Sequence, residues 1–425
     1  MANRKGSFIV SASIQTKIKL ILFALFLFNC LTLCQTAKVK SGADVLFAKH
    51  LLQLIGKRVG VICHQTSVLS NGVHLVDSLL SRGVNVTALF CPEHGIRGVI
   101  PAGVEIKNQI DEKTGLQVYS LYSSTLKPTP EILKDIDIII FDLQDVGVRF
   151  YTYSITMAYA MQAAAENGKK FIVLDRPNPI NGIEMEGTIL DTSLKSGVGI
   201  LPIPIRYGLT VGEMAKMLVG EKWLDNITNL DLQVIPMEGW KREMYYDETH
   251  LPWIRPSPNM ISVSTAIVYP GTCLIEGTNV SEGRGTSKPF EYIGAPWIDS
   301  NRLAQKLNSI KPKGVVLEPI EFIPKADSIS SANIKYENLK CGGVYIKVTN
   351  RKVFKSVLTG MNIIQIIYQL YPEQFVFNSK IFDRLAGDTR IREGILANKP
   401  VQILLDIKEK KLKYFQQNRL KYLIY

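Results

Sequence analysis

The chain has 425 residues, 46% of them hydrophobic and 21% charged, which excludes a disordered or fibrous polymer and leaves room for two cores. Fifty Lys and Arg against 38 Asp and Glu give a net charge of +12. No aromatic-interleaved basic stripe, zinc-finger spacing or helix-turn-helix pattern directs that charge to nucleic acid, so it suits cell-wall polyanions or membranes, or serves solubility alone.

At the N-terminus Arg4, Lys5, Lys17 and Lys19 precede an apolar run, 20–34, with no acidic residue. The run falls short of the roughly 20 residues of a membrane-spanning helix and fits the core of a signal peptide. Residues 1–34 are therefore expected to be a leader, cut after Cys34 or Ala37. The competing reading is a retained membrane anchor. Neither Asn29 nor Leu33 is the small residue that precedes a lipidated cysteine. The mature protein is expected to be exported, periplasmic or bound to the cell envelope, with membrane contact only if this segment is retained or lipidated. Removing four basic residues and no acidic one lowers +12 to +8. Four cysteines remain, Cys63, Cys91, Cys273 and Cys341. They have no CxxC spacing, so free buried thiols are expected rather than a disulfide framework or a metal site.

Four apolar, β-branched runs follow, at 58–63, 84–91, 136–143 and 170–175. Such runs mark strands covered on both faces of a parallel sheet. Helical spacing at 73–82 and an Ala- and Met-rich helix at 153–167 separate them. The alternation predicts an α/β doubly wound domain with right-handed crossovers. Thr210 with Glu213 reads as a capping box opening a helix. After a proline-rich stretch, helices at 297–307 and 354–371 and strands at 315–324 and 343–349 predict a smaller α+β C-terminal domain. The boundaries drawn are 38–295 and 296–425.

Polar motifs close each of the four strands: Cys63-His-Gln-Thr66, Cys91-Pro-Glu-His-Gly95, Asp142-Leu-Gln-Asp-Val-Gly147 and Asp175-Arg-Pro-Asn-Pro179. In a doubly wound sheet these carboxyl ends converge on one crevice. Glu93 sits in a sharp Pro-Glu-His-Gly turn, where it is a candidate general acid, because partial desolvation favours a protonated carboxyl. The alternative is a helix cap. Asp142 and Asp145 supply the second carboxylate that glycoside hydrolysis requires, or else pair with an arginine to fix the loop. Arg149, Tyr151 and Tyr153 lie close by and suit a sugar carboxylate or ring. In the motif 175–181, Asn178 suits hydroxyl or acetamide contacts, or belongs to a structural Asx-turn cluster. Asn259 and the loop holding Glu276, Asn279, Glu282 and Arg284 suit a sugar with an N-acyl group and a carboxylate. That loop lacks the Gly-Lys-Ser/Thr ending of a phosphate loop, and no glycine fingerprint follows the first strand, so nucleotide binding is disfavoured. Of the five histidines only His64 and His94 lie on motif loops, too few for a zinc site. No Gly-x-Ser-x-Gly elbow occurs.

Taken together, Lys57-Arg-Val-Gly-Val-Ile, Pro92-Glu-His-Gly-Ile-Arg-Gly98, the run 141–153, Leu174-Asp-Arg-Pro-Asn-Pro-Ile-Asn-Gly182 and the run 269–286 resemble the NamZ-type exo-β-N-acetylmuramidases, glycoside hydrolase family 171. The resemblance covers nearly all of the mature chain. It implies a Rossmann-like doubly wound parallel sheet with the smaller α+β domain. It also implies release of N-acetylmuramic acid (MurNAc) from the non-reducing end of peptidoglycan fragments of the MurNAc–GlcNAc type, without metal or nucleotide cofactor. Glu93 falls on the family's acidic motif. Asp145, or else Asp142 or Glu282, becomes base or nucleophile, and Gln65, Thr66 and His94 become contacts. Arg149, Arg176 and Arg284 become ligands of the lactyl carboxylate. One departure is His64-Gln-Thr-Ser67, where the family has Asn-Gln-Thr-Gly. The competing class is a non-catalytic envelope protein that binds muramyl sugars through the same arginines and asparagines.

Overall fold

β-Branched and aromatic residues build the central strands, and their period-two side chains sort onto two faces. In β1 (Arg58–Cys63), Val59, Val61 and Cys63 join one core while Ile62 joins the other. The same alternation separates Ile138 and Ile140 from Ile139 and Phe141 in β5 (Ile138–Asp142), and Ile172 and Leu174 from Phe171 and Val173 in β6 (Lys170–Leu174). The computed structural model describes residues 38–96, 108–122, 126–326, 334–406 and 409–425. The expected leader, with Cys30 and Cys34, lies outside them.

The large sheet has seven strands in the order β3-β4-β2-β1-β5-β6-β7, adding β2 (Asn85–Cys91), β3 (Gln109–Ile110), β4 (Gln117–Ser120) and β7 (Leu232–Ile235). All pairings are parallel except β3 with β4. The chain runs outward from β1 through β2 to β4, then restarts at β5 and runs the other way. The strand order therefore reverses between β1 and β5, and the crevice outside their carboxyl ends is the expected ligand position. The Ala-rich helix Tyr153–Glu166 covers one face and Leu75–Ser81 the other. The capping box of helix Val211–Gly220 is formed: Glu213 N donates to Thr210 Oγ1 (3.2 Å) and Thr210 N to Glu213 Oε2 (3.0 Å).

A second, antiparallel sheet has the order β8-β10-β9, formed by β8 (Tyr292–Ala295), β9 (Val315–Phe322) and β10 (Cys341–Val348). Helices Ser300–Ser309 and Ser356–Leu370 pack with it. Helix Val263–Thr272, within the proline-rich stretch, crosses Ser356–Leu370 at very short range. A Cβ on Gly271 would lie 1.9 Å from the Ser356 carbonyl oxygen, and one on Gly360 would lie 2.3 Å from that of Gly271. Only glycine permits this approach, which aims Tyr269 and the segment after it back toward the large sheet. Among the described residues, Cys63, Cys91, Cys273 and Cys341 are buried and form no disulfide. Among the described residues no helix is long and apolar enough to cross a membrane.

Candidate active site

A cavity of about 740 Å³ opens beyond the carboxyl edge of the large sheet, within the usual range for a small-molecule site. It gathers eight of the residues expected from sequence: Glu93, His94, Tyr151, Tyr153, Asn259, Glu276, Glu282 and Arg284. Glu93 stands in the turn after β2, where His94 and Gly95 adopt φ of 78° and 74°. Such a conformation suits glycine and strains a residue with a side chain. The Thr152 hydroxyl donates to Glu93 Oε2 at 3.1 Å.

The walls are aromatic and packed edge to face. His64 meets Tyr153 at 4.8 Å, Tyr153 meets Tyr151 at 4.8 Å, Tyr151 meets Tyr269 at 6.2 Å, and Tyr269 meets Phe290 at 4.7 Å. Burial holds the Tyr151 and Tyr153 phenols above their ordinary values, so both stay neutral donors. Tyr153 OH donates to the Pro256 carbonyl at 2.5 Å, and Gln65 Nε2 donates to the carbonyl of Arg255 at 2.9 Å. Together they seat the loop that presents Asn259 to the cavity.

The floor is charged. Arg284 Nη2 lies 2.5 Å from Glu276 Oε1, Arg284 Nε 3.3 Å from Glu282 Oε1, and Lys335 Nζ 3.0 Å from Glu282 Oε2. The Arg284 guanidinium also stands 5.1 Å from the centre of the Phe290 ring. Burial pushes this guanidinium down, but Glu276 and Glu282 outweigh it and hold it above its ordinary value. Sequence reading missed Lys335, a single lysine between two strands with no motif around it. The cavity can therefore offer a carboxyl beside a hydroxyl donor, a second carboxylate between two cations, and flat apolar faces for a sugar ring. Among the described residues no three His, Cys, Asp or Glu side chains are grouped to hold a metal ion.

The other candidates lie outside the cavity, and several expectations are corrected. Asp142 is fully buried and paired with Arg176, Nε to Oδ1 at 2.5 Å and Nη2 to Oδ2 at 2.8 Å. Neither the expected catalytic Asp142 nor the expected ligand Arg176 lines the cavity, and each spends its charge on the other. Asp145 Oδ1 accepts from Gly147 N at 2.7 Å and from the Tyr207 hydroxyl, while Oδ2 is buried without a partner. Burial pushes this carboxyl up to about 6. It is not among the residues that line the cavity, so the structure does not bring it together with Glu93 there. Arg149 is spent on backbone carbonyls of Thr188 (2.6 Å), Ile203 (2.9 Å) and Leu385 (2.8 Å), and burial lowers it to about 9. Asn178 donates to the Leu209 carbonyl and accepts from Ile180 N, the Asx-turn alternative. Asn279 exchanges hydrogen bonds with Gln374 O and Val376 N, each 2.8 Å. Thr66 Oγ1 accepts from Gln144 N and lies 2.9 Å from His64 Nδ1. His64, held well below its ordinary value by burial and then by His94 and Arg176, is a neutral brace at the position where the resemblance departs.

Against known proteins, residues 59–264 match the model of the N-terminal part of exo-beta-N-acetylmuramidase NamZ, and residues 267–425 match its C-terminal part. The chain is 48% identical over 396 residues to the peptidoglycan beta-N-acetylmuramidase NamZ of Bacillus subtilis strain 168, covering 92% of this chain and 93% of the relative. Two crystal structures of DUF1343 family proteins from Bacteroides fragilis share the fold. One has a TM-score of 0.84 at 36% identity, covering 91% of this chain and 99% of that one. The other has 0.75 at 34%, covering 92% and 99%.

Proposed function

This chain belongs to the NamZ exo-β-N-acetylmuramidase family, and we propose that it acts on peptidoglycan-derived glycans, releasing MurNAc from their non-reducing ends. It is a glycoside hydrolase of cell-wall turnover. The observation that carries the residue assignment is the meeting of Glu93 with Glu282 and Arg284 in one aromatic-walled cavity.

In this reading Glu93 donates a proton to the glycosidic oxygen as its bond to the anomeric carbon breaks. The Thr152 hydroxyl orients it. Glu282 takes the place first given to Asp145, attacking the anomeric carbon or drawing a proton from the attacking water. Arg284 complements the lactyl carboxylate, and Tyr151 and Tyr269 face the ring. A MurNAc–GlcNAc disaccharide is the simplest substrate with these features. The basic residues and apolar run of the first 34 residues support export to the cell envelope, where such glycans occur.

Incubation of the mature protein with MurNAc–GlcNAc, read by mass spectrometry, tests the proposal. Free MurNAc is expected, and Glu93→Gln is expected to lower its release by about 10²–10⁴-fold with the fold intact. Intact disaccharide with saturable binding would mean a sugar-binding protein instead.

A further inference from the structure

Lys335 stands in the connection between β9 and β10, in the small sheet, yet its ammonium lies on the cavity floor. It donates to the carbonyls of Ile275 (3.1 Å) and Val280 (2.9 Å) and to Glu282 Oε2 (3.0 Å). An ammonium group has three protons, and these acceptors, with the Glu276 carbonyl at 3.5 Å as a fourth, take all of them. Nothing remains for a sugar. The acceptors are spread along the segment 275–282, so one side chain ties both ends of that segment and its carboxylate to a single point. A compact tetrahedral donor suits such convergence, whereas a planar guanidinium does not.

The next residue makes a second tie. Tyr336 OH donates to the Asn279 carbonyl at 2.7 Å and accepts from Trp297 Nε1 at 3.3 Å. Tyr336 and Asn338 hold φ of 56° and 61°, in the left-handed region. For a bulky residue this conformation costs energy and persists only where its surroundings demand it. Strained backbone here delivers two adjacent side chains onto the segment that carries Glu276 and Glu282.

We infer that Lys335 is a positioning residue for hydrolysis. It clamps the 275–284 segment from the small sheet and fixes the Glu282 carboxylate in its working place, without touching substrate. This rests on the role given above to Glu282. The small sheet therefore acts as part of the active-site scaffold, and the cavity floor depends on it.

The test compares wild type with Lys335→Met, Glu282→Gln and the double variant on MurNAc–GlcNAc, each checked by thermal unfolding. Lys335→Met is expected to lower kcat about 100-fold, the scale of a misplaced catalytic group, with KM within about threefold. Added to Glu282→Gln it is expected to change the rate by less than about threefold, because the group it positions is already gone. A near-normal kcat, a raised KM with kcat preserved, or full additivity in the double variant would overturn the inference. Hydrogen exchange over 275–284 reads the clamp independently of turnover. Lys335→Met is expected to speed exchange there about tenfold and leave the large sheet unchanged, and unchanged exchange would also overturn it. If wild type releases no MurNAc, the functional reading fails while the exchange result still decides the clamp. Lys335→Gln is read the same way should the methionine variant lose its fold.

Discussion

Asp142 and Glu282 are both buried acids joined to arginine, yet they serve opposite ends. Asp142 ends β5 and closes a two-residue pair with Arg176, with neither partner opening onto the main cavity. Glu282 stands between Arg284 and Lys335, and all three line the cavity floor. The first pair welds the loops after β1, β5 and β6 into one block. The second leaves a carboxylate facing space that a ligand can fill. A buried ion pair by itself does not tell scaffold from site; access does.

The contrast can be broken by exchanging the outcomes. Asp142→Asn leaves the Arg176 charge buried and uncompensated, and is expected to cost about 3–5 kcal/mol of stability, measured by denaturant unfolding. Glu282→Gln is expected to keep the unfolding midpoint while lowering turnover by about 100-fold. Were Asp142→Asn to fold normally and lose only activity, the assignments would have to be reversed.

Asp145 sharpens the same comparison through pH. Its native value of about 6 stands above the ordinary 3.8, so the folded state holds this proton more tightly than the unfolded one. The stability it contributes is therefore complete below pH about 4 and is lost as pH rises through about 6. Asp145→Asn removes that loss. Its stability relative to wild type is expected to rise by roughly 2–3 kcal/mol between pH 4 and 7, the size of a two-unit shift. A difference flat with pH would show that Asp145 titrates normally. The smallest effect is expected at Asn279, which touches two backbone groups and no part of the cavity. Asn279→Ala is expected to cost about 1–2 kcal/mol of stability and to change kcat/KM less than twofold.

How legible all this was in the sequence depended on whether burial alone decided an element. The strands of β1, β2, β5 and β6 are continuous apolar runs, and the Thr210–Glu213 capping box is local, so both could be read directly. The strands β3, β4, β7 and β8 could not. They are two to four residues long, too short to show a period, and three of them lie at sheet edges. At the site, the motifs located the right edge of the sheet, and Glu93, Glu276, Glu282 and Arg284 converge there. The motifs could not reveal which polar side chains would satisfy one another. Arg149, Arg176, Asn178 and Asp145 look like ligands in a string of letters. Once buried, polar groups seek partners: Arg149 and Asn178 found backbone carbonyls, Arg176 found Asp142, and Asp145 found Gly147 N and the Tyr207 hydroxyl. Lys335 was invisible for the opposite reason: its partners are 53 to 60 residues away in the chain.

The cavity draws its lining from residues as far apart in the chain as Glu93 and Ile381, with Lys335 among them. A polypeptide still emerging from the ribosome, or cut short before that lysine, would possess the proton donor without its floor. The cavity is thus a property of the nearly complete fold and of no shorter piece of it.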